Sequence, residues 1–376
     1  MTKVMSKKHF LSYSFIRNFI YDVRYCFTGN IRNVGEFTKP QDPLIEFQHE
    51  ENESNDKRII KIAIIGLPNV GKSTLINQIV GRRVFAMSKR VHTTQCKARA
   101  IHAVGNTQMV FLDTPGLVTL SESIKFKLAN NFMSDGEGAI KDADVVGVMH
   151  DISNSYTRTK LDSKILRLLH YYPKKNTALI LNKIDCVKRK RLLLDLANKL
   201  TCNVLSNEIK PVKETTREKI SDKEMKERLK NATGWPGFQE VFMVSAIDGF
   251  GVGDIVEYLI KIAQPGPWLF PEDAYTDQKM EKIIEEAVRS KLLDYVPQEM
   301  PYLSKVKLEF LNDEDGKITA GVLVLCPSPR VEKLIRGASN GKIRVIREAA
   351  QDDLQNTFQQ TVNLSIAVTS VKSANK

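Results

Sequence analysis

Long apolar runs are missing from this 376-residue chain. No stretch reaches the roughly 18 uninterrupted apolar residues of a spanning helix, so no segment reads as transmembrane. Paired cysteines are missing as well. Cys26, Cys96, Cys186, Cys202 and Cys326 are scattered without a CxxC spacing. That argues against a zinc site and a disulfide framework, and fits a reducing compartment. No internal repeat is visible. Acids are scarce in the first 35 residues, where Asp22 stands alone against Lys3, Lys7, Lys8, Arg17, Arg24 and Arg32. Phe10, Leu11, Phe15, Ile16, Phe19 and Ile20 recur there at near-helical spacing, with Ser6, Ser12 and Ser14 between them. The compact apolar core of a secretory signal is absent. An acid-poor, basic, amphipathic start reads as a mitochondrial transit peptide over residues 1–45 and implies the mitochondrial matrix. A disordered basic tail or an RNA-binding arm would have the same composition. Peripheral contact with the inner membrane stays open.

What is present is an ordinary globular composition, 42% hydrophobic and 27% charged. The length allows about two domains. A net charge of +12 and a pI near 9.3 point to an anionic partner, nucleic acid or an anionic membrane surface. A generally basic protein without such a partner is the plainer alternative.

Residues 46–58 read as a linker, and order begins at the β-branched run Arg58-Ile-Ile-Lys-Ile-Ala-Ile-Ile65. Apolar runs of strand length recur at Met109–Leu112, Val145–Met149, Ala178–Leu181 and Val241–Val244. Helical patterns lie between them at Lys72–Ile79, Ile124–Asn131 and Lys160–Leu169. Buried strands alternating with helices predict a doubly wound α/β domain with a mainly parallel sheet over residues 59–265. A charged stretch, 186–235, contains Lys188-Arg-Lys-Arg191 and has too few apolar residues for a core of its own. It reads as an exposed helical insertion or a disordered loop. Composition shifts again at Gln264-Pro-Gly-Pro267, and residues 266–376 show the order α-β-β-α-α-β, with a hairpin at Asn312-Asp-Glu-Asp-Gly316. This predicts a separate α+β domain.

Gly66-Leu-Pro-Asn-Val-Gly71-Lys72-Ser73 follows a strand and opens a helix, the context that a P-loop requires. Its glycines let the backbone wrap phosphate, and the amides from Asn69 through Val70 to Thr74 would face the β-phosphate. Pro68 shapes the same turn. Lys72 would reach the β- and γ-oxygens, and the Ser73 hydroxyl would ligate Mg²⁺. Asp113-Thr114-Pro115-Gly116 ends another strand; its aspartate would hold Mg²⁺ through water, and Gly116 would sense the γ-phosphate. Asn182-Lys183-Ile184-Asp185 selects the base, because a carboxylate accepts from guanine N1–H and its exocyclic amine, a pattern adenine does not offer. Ser245, Ala246 and Ile247, after the last strand, would back the base with amides. The motifs in this order predict GTP and GDP as ligands and hydrolysis to GDP and phosphate.

The P-loop asparagine, Thr93-Thr94, DTPG, NKID and SA together resemble the Era branch of the TrmE–Era GTPases. Leu269-Phe-Pro-Glu-Asp-Ala-Tyr-Thr-Asp277 is similar to the segment leading from the G domain into the type II KH domain of that family. Ser290-Lys-Leu292 and Glu299-Met-Pro-Tyr302 extend the resemblance, which covers about Lys61 to Val371 without the insertion. With the N-terminus, it implies a mitochondrial branch acting in assembly of the small ribosomal subunit. It also implies that Thr94 is the switch I threonine on Mg²⁺, while Gln95 stands where the family often has arginine. Leu117 occupies the place of the water-orienting glutamine of Ras-type proteins, which implies slow intrinsic hydrolysis. Asn69 is the residue that, in related enzymes, helps hold a K⁺ ion near the transferring phosphoryl; shaping the loop is its alternative role.

In a KH domain a GXXG loop clamps the backbone of single-stranded RNA. The resemblance places it at Gly337-Ala338-Ser339-Asn340, with the second glycine replaced by Asn340 and followed by Gly341. Asparagine tolerates φ > 0 better than other side chains. Arg336, Lys342, Arg344 and Arg347 would supply phosphate-directed charge. The partner implied is small-subunit ribosomal RNA near its 3′ end. The alternative is a G-domain switch whose KH-like domain docks on protein or membrane without RNA.

Overall fold

The computed structural model describes residues 56–87, 98–113, 132–205, 217–296, 300–314 and 316–370. The expected leader, most of the linker before Arg58 and the helix expected at Ile124–Asn131 lie outside them. In chain order the strands are β1 Arg58–Ile65, β2 Ala98–Val104, β3 Thr107–Asp113, β4 Val145–Asp151, β5 Asn176–Asn182, β6 Glu240–Val244, β7 Gln264–Pro265, β8 Lys305–Glu314, β9 Lys317–Cys326 and β10 Thr361–Ser370. The α-helices are α1 Lys72–Val80, α2 Phe132–Asp142, α3 Ser163–Tyr171, α4 Arg191–Leu200, α5 Asp222–Lys230, α6 Val252–Ile262, α7 Met280–Tyr295, α8 Met300–Leu303, α9 Pro329–Arg336 and α10 Gly341–Phe358.

The first sheet runs β2-β3-β1-β4-β5-β6. The pairs β3–β1, β1–β4, β4–β5 and β5–β6 are parallel. Every residue of β5, and all of β4 except Asp151, is buried. Strands covered on both faces are filled by continuous apolar runs, which is what made them readable. The sequence reading did not contain β2. It pairs antiparallel with β3 through the two-residue connection Gly105-Asn106 and makes the sheet's edge.

That edge is covered. The segment after α6 lies along β2: Ile101 N–H donates to Tyr275 O (3.0 Å) and Arg99 N–H to the Asp277 carboxylate (2.8 Å). The Arg82 guanidinium lies 4.8 Å from the centre of the Tyr275 ring. Gln108, fully buried, reaches the same segment. Its Oε1 accepts from the Leu269 and Phe270 amides (2.9 and 3.1 Å), and its Nε2 donates to Phe270 O (2.8 Å).

Within the charged stretch 186–235, helix α4 is packed against the rest of the protein. Leu193, Leu196, Ala197 and Leu200 on α4 are buried. The segment needs no core of its own because it borrows the domain's, and Trp235 N–H ties back to Leu200 O (2.8 Å). Helix α5 matches the exposed, charged expectation, burying Met225 alone.

The C-terminal part follows the expected order, with the short α8 added before β8. Its sheet runs β10-β9-β8, with β9–β10 parallel and β8–β9 antiparallel. One face buries Ile318, Ala320, Val322 and Val324 against Ile284, Val288, Ile335, Ile346 and Leu354 of the covering helices. It meets the first domain at Arg83. Arg83 N–H donates to Asn356 Oδ1 (2.9 Å), Arg83 O accepts from the Thr357 hydroxyl (2.7 Å), and its guanidinium pairs with Asp353. Asp353 also holds Lys291 of α7 at 2.6 Å. Among the described residues no helix is long and apolar enough to cross a membrane.

Candidate nucleotide site

The loop between β1 and α1 turns on left-handed backbone at Asn69 (φ 60°) and Gly71 (φ 105°). A Cβ at Gly71 would lie 2.4 Å from Asn182 Nδ2, so only glycine fits both the dihedral and the space. Asn182 uses that proximity. Its Nδ2 donates to Val70 O (2.7 Å), and its Oδ1 accepts from Ala246 N–H (3.0 Å). One buried amide thus braces the phosphate loop against the segment after β6. Lys72 is 8% exposed, with Nζ 3.3 Å from the carbonyls of Gly66 and Leu67. Ser73 and Thr74 follow it in the first turn of α1, partly exposed, where a hydroxyl offers the hard oxygen that Mg²⁺ takes.

Lys183 has φ 68°, and this turn sends its side chain back across the site. Lys183 Nζ donates to Asn69 O (2.9 Å) and lies 2.5 Å from Asp151 Oδ2. Asp185 sits on the 3₁₀ turn Ile184–Cys186. Its Oδ2 accepts from the Cys186 thiol (3.1 Å) and its Oδ1 from the Ser245 hydroxyl (2.9 Å). These bonds hold its carboxyl below the usual range, the Cys186 contact most of all, against partial desolvation. Asp185 is therefore ionised and acceptor-only, as a guanine-reading group must be.

The segment after β6 departs from expectation in one respect. The amides of Ser245 and Ala246 are already engaged, with Phe250 O (3.1 Å) and Asn182 Oδ1 (3.0 Å), because this turn closes on itself and on the asparagine. Ser245 contributes its hydroxyl to Asp185 instead. Ile247, 76% exposed, lies at the open side of this turn. Asp151, Cys186 and Asp248, whose Oδ2 lies 2.9 Å from Ser245 Oγ, were not assigned to the site by the sequence reading. Asp151 ends a strand as Asp113 does, and that position was its only signal. Thr94, Gln95, Thr114, Pro115, Gly116 and Leu117 lie outside the described residues, as does the side chain of Asp113.

The C-terminal loop also carries left-handed backbone, at Gly337 (φ 71°), Ser339 (48°) and Asn340 (60°), just before α10. Asn340 thus takes the conformation expected of it. Arg336 is exposed and also has partners within the protein. Its guanidinium donates to Val368 O (2.6 Å) and pairs with Glu332 (2.9 Å), because the last turn of α9 packs beside the end of β10. Arg344 and Arg347 share Glu348, at 3.0 and 3.2 Å. Ala338, Ser339, Asn340 and Gly341 are exposed, and Lys342 is half-buried against Gly337.

Comparison with known proteins places these features in context. Residues 61–183 match the family described as 50S ribosome-binding GTPase. The chain is 34% identical to the mitochondrial GTPase Era of Salmo salar, over 85% of this chain and 78% of that one. It is 32% identical to the GTPase Era of Mesorhizobium japonicum, over 82% and 86%. Its fold resembles that of Era crystallised with MgGDPNP and nucleotides 1506–1542 of 16S ribosomal RNA. That match has a TM-score of 0.65 at 23% identity, over 84% of this chain and 95% of the other.

Proposed function

The chain belongs to the Era family of GTPases, and from that premise we propose that it is a slow, GTP-gated RNA chaperone for assembly of the mitochondrial small ribosomal subunit. The observation that carries the reading is the pairing of a braced guanine-nucleotide site with an open, left-handed loop at the head of α10. Positive φ at Ser339 and Asn340 would let that loop serve as the GXXG clamp. Residues 266–376 would then be a type II KH domain, with Gly337, Ala338, Ser339, Asn340, Gly341, Lys342 and Arg344 on the RNA backbone. The solved relative held with 16S ribosomal RNA supports an RNA partner of this class, near the 3′ end of the small-subunit RNA. The fish relatives named as mitochondrial, together with the basic N-terminus, support the matrix as the location.

At the nucleotide, Asp185 would read the guanine edge while Lys72 and the loop amides hold the phosphates. Ser73, Thr94 and Asp113 would hold Mg²⁺, which when bound neutralises charge on the β- and γ-oxygens. With Leu117 in place of a water-orienting side chain, hydrolysis depends on phosphate neutralisation, and Asn69 would help seat K⁺ for that purpose. Replacing potassium by sodium should then slow hydrolysis, and equal rates would remove Asn69 from that role.

The RNA reading is tested by titrating salt against binding of a single-stranded RNA from the 3′ end of the small-subunit RNA. Phosphate contacts give a steep loss of affinity with ionic strength. The alternative is a docking module without RNA, and a flat or absent RNA signal would select it.

A further inference from the structure

We propose that Asp151, at the end of β4, is a positioning residue for guanine-nucleotide binding: it holds the Lys183 ammonium in place so that this side chain ties the base-reading turn to the phosphate loop. The acid is itself set in advance. Ser153 donates to Asp151 Oδ1 twice, from its amide (2.8 Å) and its hydroxyl (2.6 Å), which leaves Oδ2 directed at Lys183 Nζ (2.5 Å). The parallel register of β4 and β5 puts Asp151 beside Asn182, one residue before Lys183. Lys183 then completes the chain by donating to Asn69 O (2.9 Å). Burial works against ionisation of Asp151, but the bonds from Lys183 and Ser153 and the lysine charge outweigh it and keep the carboxyl ionised.

The series Ser153, Asp151, Lys183, Asn69 is one strut between the base-reading strand end and the phosphate loop; Asn182 to Val70 O is another. A long lysine side chain has much rotamer freedom to lose when it is held in one place. Without a fixed counter-charge, Lys183 would sample solvent and the Asn69 carbonyl would lose its donor.

The sign of the effect separates positioning from bulk electrostatics. Removing a negative charge near a phosphate site should tighten nucleotide binding if charge alone matters. If Asp151 positions Lys183, removing it should weaken binding.

The experiment uses the full chain, with fluorescent GDP dissociation and equilibrium binding of GDP and GTP as readouts. Asp151→Asn is expected to lose about tenfold in affinity for both nucleotides, mainly as faster release, the scale of one charge-assisted hydrogen bond. Melting of the nucleotide-free protein is expected to change little by comparison. In a double-mutant cycle with Lys183→Met, the two penalties should not add, because both remove the same strut. Unchanged or tighter binding in Asp151→Asn, or additive penalties, would overturn the proposal. If Asp151→Asn does not fold, Ser153→Ala decides, since it keeps the charge and removes the hydroxyl, one of the two donors that orient it. Faster GDP release would support positioning, and unchanged release would overturn it.

Discussion

The loop over Gly66–Ser73 and the loop over Gly337–Gly341 use the same local device. Each sets left-handed residues just before a helix, Asn69 and Gly71 before α1, and Gly337, Ser339 and Asn340 before α10. A helix N-terminus of this kind favours an anion. The two loops differ in what stands behind them. The first loop is gripped from the end of another strand, β5, by Asn182 on Val70 O and Lys183 on Asn69 O, and its Val70 and Lys72 are buried. Behind the second loop is only its own neighbourhood, the Lys342 stem against Gly337 and the Arg336 tie to β10, with Ala338, Ser339 and Asn340 in solvent. A braced loop suits one ligand of fixed shape. An exposed loop suits a polymer whose backbone repeats and whose geometry adapts.

Breaking the braced loop should have the largest effect. Gly71→Ala forces a Cβ onto Asn182 at φ 105°, and we expect more than a hundredfold loss of GDP and GTP affinity, about 3 kcal/mol, measured by calorimetry. Next is Asp185→Asn, expected to weaken GTP by about a hundredfold while admitting xanthosine nucleotides, whose oxygen replaces the guanine amine. Equal GTP binding would mean that Asp185 does not read the base.

Gly337→Asp should cost the open loop at least tenfold in RNA affinity, about 1.4 kcal/mol, with GTP binding intact. This variant strains backbone as well as adding charge, since a Cβ there meets Lys342 Cβ at 2.7 Å. Lys342→Glu, which leaves Gly337 in place, should reproduce most of the loss. Asn340→Gly should change RNA binding less than twofold, because asparagine already sits at the required φ.

Between these in size is an effect of acid on the first domain alone. All six histidines precede residue 171, and none lies in 266–376. Burial lowers the pKa of His150, and of His102 in the same direction. The unfolded chain therefore takes up protons near pH 6.5 where the folded state does not. Stability should hold above that pH and fall as pH drops below it. Melting followed by nucleotide release should show the decline, and a probe in the C-terminal part should show less of it.

The same contrast explains what the sequence made legible. Gly66 to Ser73, and Asn182 to Asp185, are short motifs at strand ends, and their chemistry is local. The braces are not local: Asp151 meets Lys183 only through strand register, and the Ala246 amide is spent on Asn182 through a turn closure that spacing does not encode. Strand β2 was missed because Arg99 and His102 interrupt its apolar pattern. The Gly105-Asn106 pair before Thr107 was the available hairpin signal. In α4 the leucines repeat at helical spacing, but the preceding Lys/Arg run set the composition of the window and hid them.

The segment Leu269–Asp277 was recognised only as a connection between domains. Lying along β2, it also acts as a guard for the sheet. β2 has one paired side, and its other side meets Ala100–Thr276 bridging and the Tyr275 and Asp277 contacts. A chain cut after Pro265 would keep every described nucleotide-site residue yet bare an open strand edge, a template for pairing with a second copy. The isolated GTPase half should thus be less soluble than the whole protein for a reason unrelated to its catalytic residues.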